Sequence, residues 1–281
     1  MKIGASTYSW RKTFKNCTPP WGSWQKLKES FPQITGLEIL NQDLIKFMGD
    51  VEIEDLLTLK ENLQIQGEFE WFALTTDSLE FGANTVPYWA DYQSYIKGFE
   101  QTDEWRIMGG KEWIDYATQL DIPCMRIDIG TYVMNHKIPY TDALEFNTKR
   151  FIKVFSALAE YAKAKGIQLG FENHGGFASD EHVISTLLDA VPDLCLTLDL
   201  GNFPDHNRYE LIEQFAPRTN FVHAKTCVFD ENGEEKHIDY EKCLQILKDS
   251  GFEGWLSIEY EGPDSEEQGI KQTIALIEKY L

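Results

Sequence analysis

The stretch IQLGFENHGGFASDEHVISTLLDAVPDLCLTLDLGNF, residues 167–203, decides how this chain folds. It opens on an apolar run of strand character (167–173), passes through apolar residues at helical spacing (180–191) and returns to a second apolar run (194–200). Strand, helix and strand in that order imply a parallel pair joined by a right-handed crossover. The same alternation extends in both directions. Runs of strand character stand before it at KIGASTYSW (2–10), GLEIL (36–40), WFALTT (71–76) and CMRIDIG (124–130). After it come NFVHAKT (220–226) and WLSIEYE (255–261), with helical patterns at 51–66, 143–166, 239–251 and 265–281. Eight such units close most simply into a (β/α)8 TIM barrel, an α/β fold that runs to about 250 residues as one unit. With no Pro/Ser-rich linker or low-complexity tract, a single domain over 1–281 is expected.

Local punctuation fits these elements. Thr141 and Ser179 precede helical runs as N-cap candidates, and Gly166 and Gly251 follow Lys165 and Ser250 where a left-handed residue would end a helix. The segment 83–120 exceeds one crossover and is rich in aromatics, among them Tyr88, Trp89, Trp105 and Trp113. It reads as a loop and two helices, the aromatics packing inward in the first place and forming a lid or a homo-oligomer surface in the second.

A net charge of −20 and a pI near 4.7 exclude nucleic acid as a natural partner, because phosphate binding rests on Lys and Arg. The opening MKIGASTYSW lacks the basic and apolar regions of a secretion signal, and no apolar run reaches the ~20 residues that span a bilayer. Five cysteines without a CxxC pair suit free thiols in a reducing compartment. The expectation is a cytoplasmic protein without a membrane partner.

Parallel barrels place chemistry at the carboxyl ends of their strands. Glu172, Asp199, His223 and Glu259 stand at or near the ends of the last four runs. Taken singly, each is an ordinary solvated, capping or backbone-satisfied side chain. Together they bring three carboxylates to one edge, where desolvated like charges need a cation. Oxygen-dominated coordination with one imidazole suits Mn²⁺ foremost, with Mg²⁺, Co²⁺, Fe²⁺ or Zn²⁺ as alternatives. Residues two apart share a strand face, which joins His174 to Glu172, Lys225 to His223 and Glu261 to Glu259. Glu259 is taken over Glu261 because Glu261 abuts the turn at Gly262 and Pro263.

ENHGG (172–176), DLGNF (199–203), HxK (223–225) and the closing GxEGWLSIEYEG (251–262) resemble the xylose isomerase-like TIM-barrel superfamily, in particular its sugar phosphate isomerase/epimerase branch. That branch is related to ketose 3-epimerases and inosose dehydratases. The resemblance implies a metal held by Glu172, Asp199, His223 and Glu259, with Glu172 and Glu259 also an acid/base pair. The chemistry is coherent: two sugar oxygens chelate the cation, and a carboxylate removes the proton from the carbon next to the carbonyl to give an enediolate. Return on the opposite face epimerises, return to the neighbouring carbon isomerises, and loss of a β-hydroxyl dehydrates.

Lys225, His174, Asn202, Arg126 and Trp10 are the expected substrate-facing residues. Lys225 either donates to the developing oxyanion, its pKa lowered by the cation, or pairs with the surrounding acids. Arg126 and Asp128 share a face and suit an internal ion pair. Trp10, Trp21 and Trp24 flank the first βα loop, where sugars meet aromatic faces. Asn202 replaces a histidine of the endonuclease relatives, which with the acidic charge disfavours a nuclease. VHAKTCVFDENG has no arginine where the ketose 3-epimerases carry one, so their substrate does not carry over. The expected activity is a metal-dependent sugar isomerase or epimerase. A dehydratase, or an idle sugar-binding or scaffold barrel, is the alternative.

Overall fold

The computed structural model describes residues 1–16, 21–43, 57, 58, 61, 69–76, 92–129 and 139–281. Among the described residues there are eight strands: β1 (Lys2–Ser6), β2 (Gly36–Leu40), β3 (Glu70–Thr76), β4 (Cys124–Ile127), β5 (Gln168–Glu172), β6 (Cys195–Asp199), β7 (Thr219–Thr226) and β8 (Trp255–Tyr260). All pair in parallel and in chain order, and β1 meets β8 to close the barrel. The helices among the described residues are α1 (Arg11–Asn16), α2 (Trp21–Ser30), α3 (Tyr92–Gln119), α4 (Tyr140–Ala164), α5 (Glu181–Ala190), α6 (Arg208–Phe215), α7 (Tyr240–Asp249) and α8 (Glu266–Tyr280). The fold is the (β/α)8 TIM barrel, and residues 167–203 supply its β5, α5 and β6. No helix among the described residues is long and apolar enough to cross a membrane.

The strands are covered on both faces, which is why they read as near-continuous apolar runs. Every residue of β7 from Asn220 to Thr226 is buried. The helices cover them with stripes at helical spacing, as α7 does with Tyr240, Cys243, Leu244 and Leu247. Inside the barrel Phe72 stacks on Trp255 with ring centroids 4.5 Å apart and meets Phe221 edge-on at 5.7 Å. The paired Gly4 and Gly36 leave the room for this aromatic plug. A Cβ on Gly36 would lie 2.5 Å from the Trp255 ring and 2.8 Å from Phe72. Gly36→Ala is therefore expected to destabilise the protein by about 1–3 kcal/mol through overpacking. An unchanged urea midpoint would show that the plug yields.

Several local expectations are corrected. The first strand stops at Ser6, not residue 10, because Ser6 Oγ accepts from Tyr8 N–H and turns Thr7–Trp10 into a 3₁₀ segment. Asp180, rather than Ser179, caps α5, accepting from the N–H groups of His182 and Val183; its full negative charge suits a helix N-terminus. Ser179 Oγ donates instead to the Asn173 carbonyl at 3.2 Å. Thr141 lies within the first turn of α4, whose N-cap is Pro139. Gly166 and Gly251 do adopt positive φ, 78° and 77°, after Lys165 and Ser250. One unbroken helix, α3, fills 92–119 where two were expected, and Trp105 on it is 72 % exposed rather than packed inward. Tyr88, Trp89 and nearly all of the helix expected over 51–66 lie outside the described residues. Cys124, Cys195, Cys227 and Cys243 are free, as expected; Cys17 lies outside the described residues.

Candidate active site

β5, β6, β7 and β8 bring Glu172, Asp199, His223 and Glu259 together, one ligand atom of each within 4.8 Å of the others. Register sets this meeting, since Asp199 lies beside His223 and Lys225 beside Glu259 across the ladders. A slip of one residue would turn these side chains to the other face. Glu172, Asp199 and His223 are buried, and Glu259 is partly so.

The backbone aims Asp199. Its Oδ1 accepts from the N–H groups of Gly201 at 2.6 Å and Asn202 at 3.0 Å. The fully buried Asn173 clips β5 to β6, its Nδ2 donating to the Asp199 carbonyl and its Oδ1 accepting from Asp199 N–H. Asp199 Oδ2 is left buried without a hydrogen-bond partner, as is His223 Nδ1. Buried polar atoms of this kind are rare in folded proteins. Both belong to ligand-type groups, and both lie in the same carboxylate cluster. The donor set of three carboxylates and one imidazole fits a hard or borderline divalent cation.

Glu172 is held by residues expected to face substrate. The Arg126 guanidinium pairs with its Oε2, and Asn202 Nδ2 donates to its Oε1 at 3.1 Å. Burial raises the pKa of Glu172, but the charges of Arg126 and His223 outweigh it and hold the carboxyl well below its ordinary range. Asp199 moves the other way: burial and the charges of Glu259 and Glu172 raise it despite Lys225. His223 is raised too, since Glu38, Glu172 and Glu259 outweigh its burial.

The Arg126–Asp128 ion pair is present at 3.6 Å, and Asp128 also holds His174 Nδ1 at 3.1 Å. His174 keeps 43 % of its side chain exposed, so it can still meet a ligand. Lys225 sits among the acids of the site. Its Nζ lies 3.0 Å from Glu261, 3.2 Å from Glu259 and 3.5 Å from Asp199. Burial would lower its pKa, yet those three carboxylates raise it. The ammonium thus supplies counter-charge to these carboxylates. Glu261, set aside in favour of Glu259, joins the site through Lys225 and accepts from Tyr8 Oη at 3.1 Å.

Trp10 is corrected from a sugar platform to a core residue. It is buried edge-on against Phe31, and its Nε1–H donates to the Ser23 carbonyl. Trp24 packs in the same way against Trp71. Two residues escaped the sequence reading. Asn173 was hidden within ENHGG, and Glu38 within GLEIL, where a lone acid inside an apolar strand was the available signal.

Residues 96–280 match the family described as xylose isomerase-like TIM barrel. No curated protein sequence matches the chain. Solved structures match over nearly the whole chain. A sugar phosphate isomerase/epimerase from Parabacteroides distasonis ATCC 8503 is 16% identical with TM-score 0.68, covering 99% of this chain and 94% of that one. The IOLI protein, solved with a zinc atom, is 18% identical with TM-score 0.68, covering 100% and 99%. A D-allulose 3-epimerase from Methylomonas sp. is 15% identical with TM-score 0.66, covering 100% and 98%. At these identities the structural likeness speaks for the fold alone.

Proposed function

The chain belongs to the xylose isomerase-like TIM barrel family, and from that premise we propose that it is a divalent-metal-dependent isomerase or epimerase. Its substrate is a sugar or polyol-derived ketone, and its reaction removes a proton from the carbon next to the carbonyl. The observation that carries this reading is the convergence of four ligand atoms within 4.8 Å, with Asp199 Oδ2 and His223 Nδ1 buried and without hydrogen-bond partners. Glu172, Asp199, His223 and Glu259 would hold the ion, Mn²⁺ foremost, and when bound it supplies Lewis-acid polarisation of the carbonyl. The zinc in one structural relative supports a metal in a barrel of this shape.

The chain's own groups account for the proton movements. Glu172 on β5 and Glu259 on β8 are separated around the ring by β6 and β7, the kind of arrangement that a two-face proton exchange calls for. One takes the proton from carbon and the other returns it. Return on the opposite face inverts the centre, and return to the neighbouring carbon interconverts aldose and ketose. Lys225 Nζ, now among Asp199, Glu259 and Glu261, would turn to donate to the oxygen on which charge develops. His174, held through Nδ1 by Asp128, offers its other ring nitrogen to a hydroxyl.

The test is solvent exchange. The protein with Mn²⁺ is incubated in D₂O with a panel of ketoses, aldoses, inososes and their phosphates, and products are read by NMR. At least one compound is expected to gain deuterium on carbon, at an inverted centre for an epimerase or at the adjacent carbon for an isomerase. An unsaturated or deoxy-keto product would move the protein to the dehydratases. Turnover without loss or shift of a carbon-bound proton would overturn the proton-abstraction reading in favour of a hydride shift.

A further inference from the structure

We infer that Glu38 is a positioning residue that selects which nitrogen of His223 faces the metal site. Glu38 lies on β2, completely buried, outside residues 96–280 that match the family. Its two carboxylate oxygens lie 3.0 and 3.1 Å from His223 Nε2. The same oxygens accept from Thr75 Oγ1 on β3 and, at 2.6 Å, from Ser257 Oγ on β8. Glu38 thus ties β2 to β3, β7 and β8 inside the barrel, with all its donors drawn from other strands. A carboxylate only accepts, so the His223 nitrogen beside it must carry a proton. That leaves Nδ1, which faces Glu172 Oε1 at 3.4 Å and Glu259 Oε2 at 3.9 Å, as the nitrogen whose lone pair can serve as a ligand. A ring held from behind in this way has its orientation set, and Nε2 keeps its proton when Nδ1 turns its lone pair to a cation.

The inference rests on the metal site proposed above, and the experiment separates the two. The unmodified protein freed of metal, the Glu38→Gln variant and a Ser257→Ala control are titrated calorimetrically with Mn²⁺, and their melting temperatures are recorded without metal. Glutamine keeps the size of Glu38 but not the charge or the all-acceptor character. Glu38→Gln is expected to bind Mn²⁺ about 10- to 100-fold more weakly, the usual consequence of losing a group that orients a metal-ligating histidine. Ser257→Ala, which removes a donor to Glu38 but leaves its contact with His223, is expected to lower the melting temperature with Mn²⁺ affinity within threefold. If the unmodified protein binds no Mn²⁺, the metal reading fails. If it binds and Glu38→Gln binds equally well, the Glu38 inference alone is overturned.

Should Glu38→Gln not fold, the unmodified protein decides the matter. With ¹⁵N-labelled histidine and Zn²⁺ bound, His223 is expected to keep its Nε2–H resonance while the Nδ1 signal shifts on metallation. Metallation of Nε2 with a protonated Nδ1 would refute the role assigned to Glu38.

Discussion

Glu172→Gln and Glu259→Gln will each lower kcat by about 10³-fold or more on the substrate found by solvent exchange, while the far-ultraviolet circular dichroism of the barrel stays unchanged. Glutamine keeps the shape of each side chain but takes no proton. At 172 the loss is compounded. The Arg126 guanidinium and the Asn202 amide both donate toward this carboxylate, and they hold it as the anion a proton acceptor must be. Arg126 retains Asp128 at 3.6 Å, so the variant does not strand a buried charge without a counter-ion. The assay is run at saturating Mn²⁺, because both residues are also proposed ligands and weaker metal binding must not be mistaken for lost chemistry. His174→Ala supplies the contrast: its side chain is partly exposed and lies outside the four-ligand cluster, so a smaller loss is expected. Near-normal turnover by either glutamine variant would remove that carboxylate from acid/base duty and revive the sugar-binding alternative.

The second large effect is on stability. Glu172, Asp199 and Glu259 converge in a largely desolvated volume, with Lys225 as counter-charge for two of them. An ion that binds only the folded chain stabilises it by RT ln(1 + [L]/Kd), about 4 kcal/mol at a thousandfold excess over Kd. For a barrel of this size that corresponds to a rise in Tm on the order of 10 °C. Protein freed of metal and resupplied with Mn²⁺ or Mg²⁺ is expected to take up one ion per chain by elemental analysis and to show this rise, with a chelator reversing it. Asp199→Ala should bind weakly and melt at nearly the same temperature with or without metal. No stoichiometric ion and no shift with any of the divalent metals would end the metal reading.

Much of this arrangement is legible in one dimension. The periods of a strand and a helix are local properties of the chain, and eight alternations of them leave few ways to close. The same locality explains Gly166 and Gly251, because a left-handed residue after a helix leaves its mark at a single position. The four ligand-type residues were readable for a related reason: strand ends are visible in sequence, and in a parallel barrel those ends share one rim.

What the chain could not disclose were the partners of its charged side chains. Nothing local tells that Arg126 turns to Glu172 as well as Asp128, or that the Asn202 amide donates to the same carboxylate. Such choices depend on distances across the barrel, which exist only once β1 has met β8. Trp10 illustrates the converse, since its sequence neighbourhood suggests a binding loop, but the turn ending β1 carries it into the core. The unbroken α3 likewise reflects packing against α4 and the core more than any pattern within 83–120. By itself the sequence determined the strand order, the fold and the identity of the four candidate ligands, because each is encoded within a few residues. Only tertiary structure decided that Glu38 stands behind His223. The two lie 185 residues apart, and a buried acid is tolerable only where the closed barrel brings it donors from three other strands.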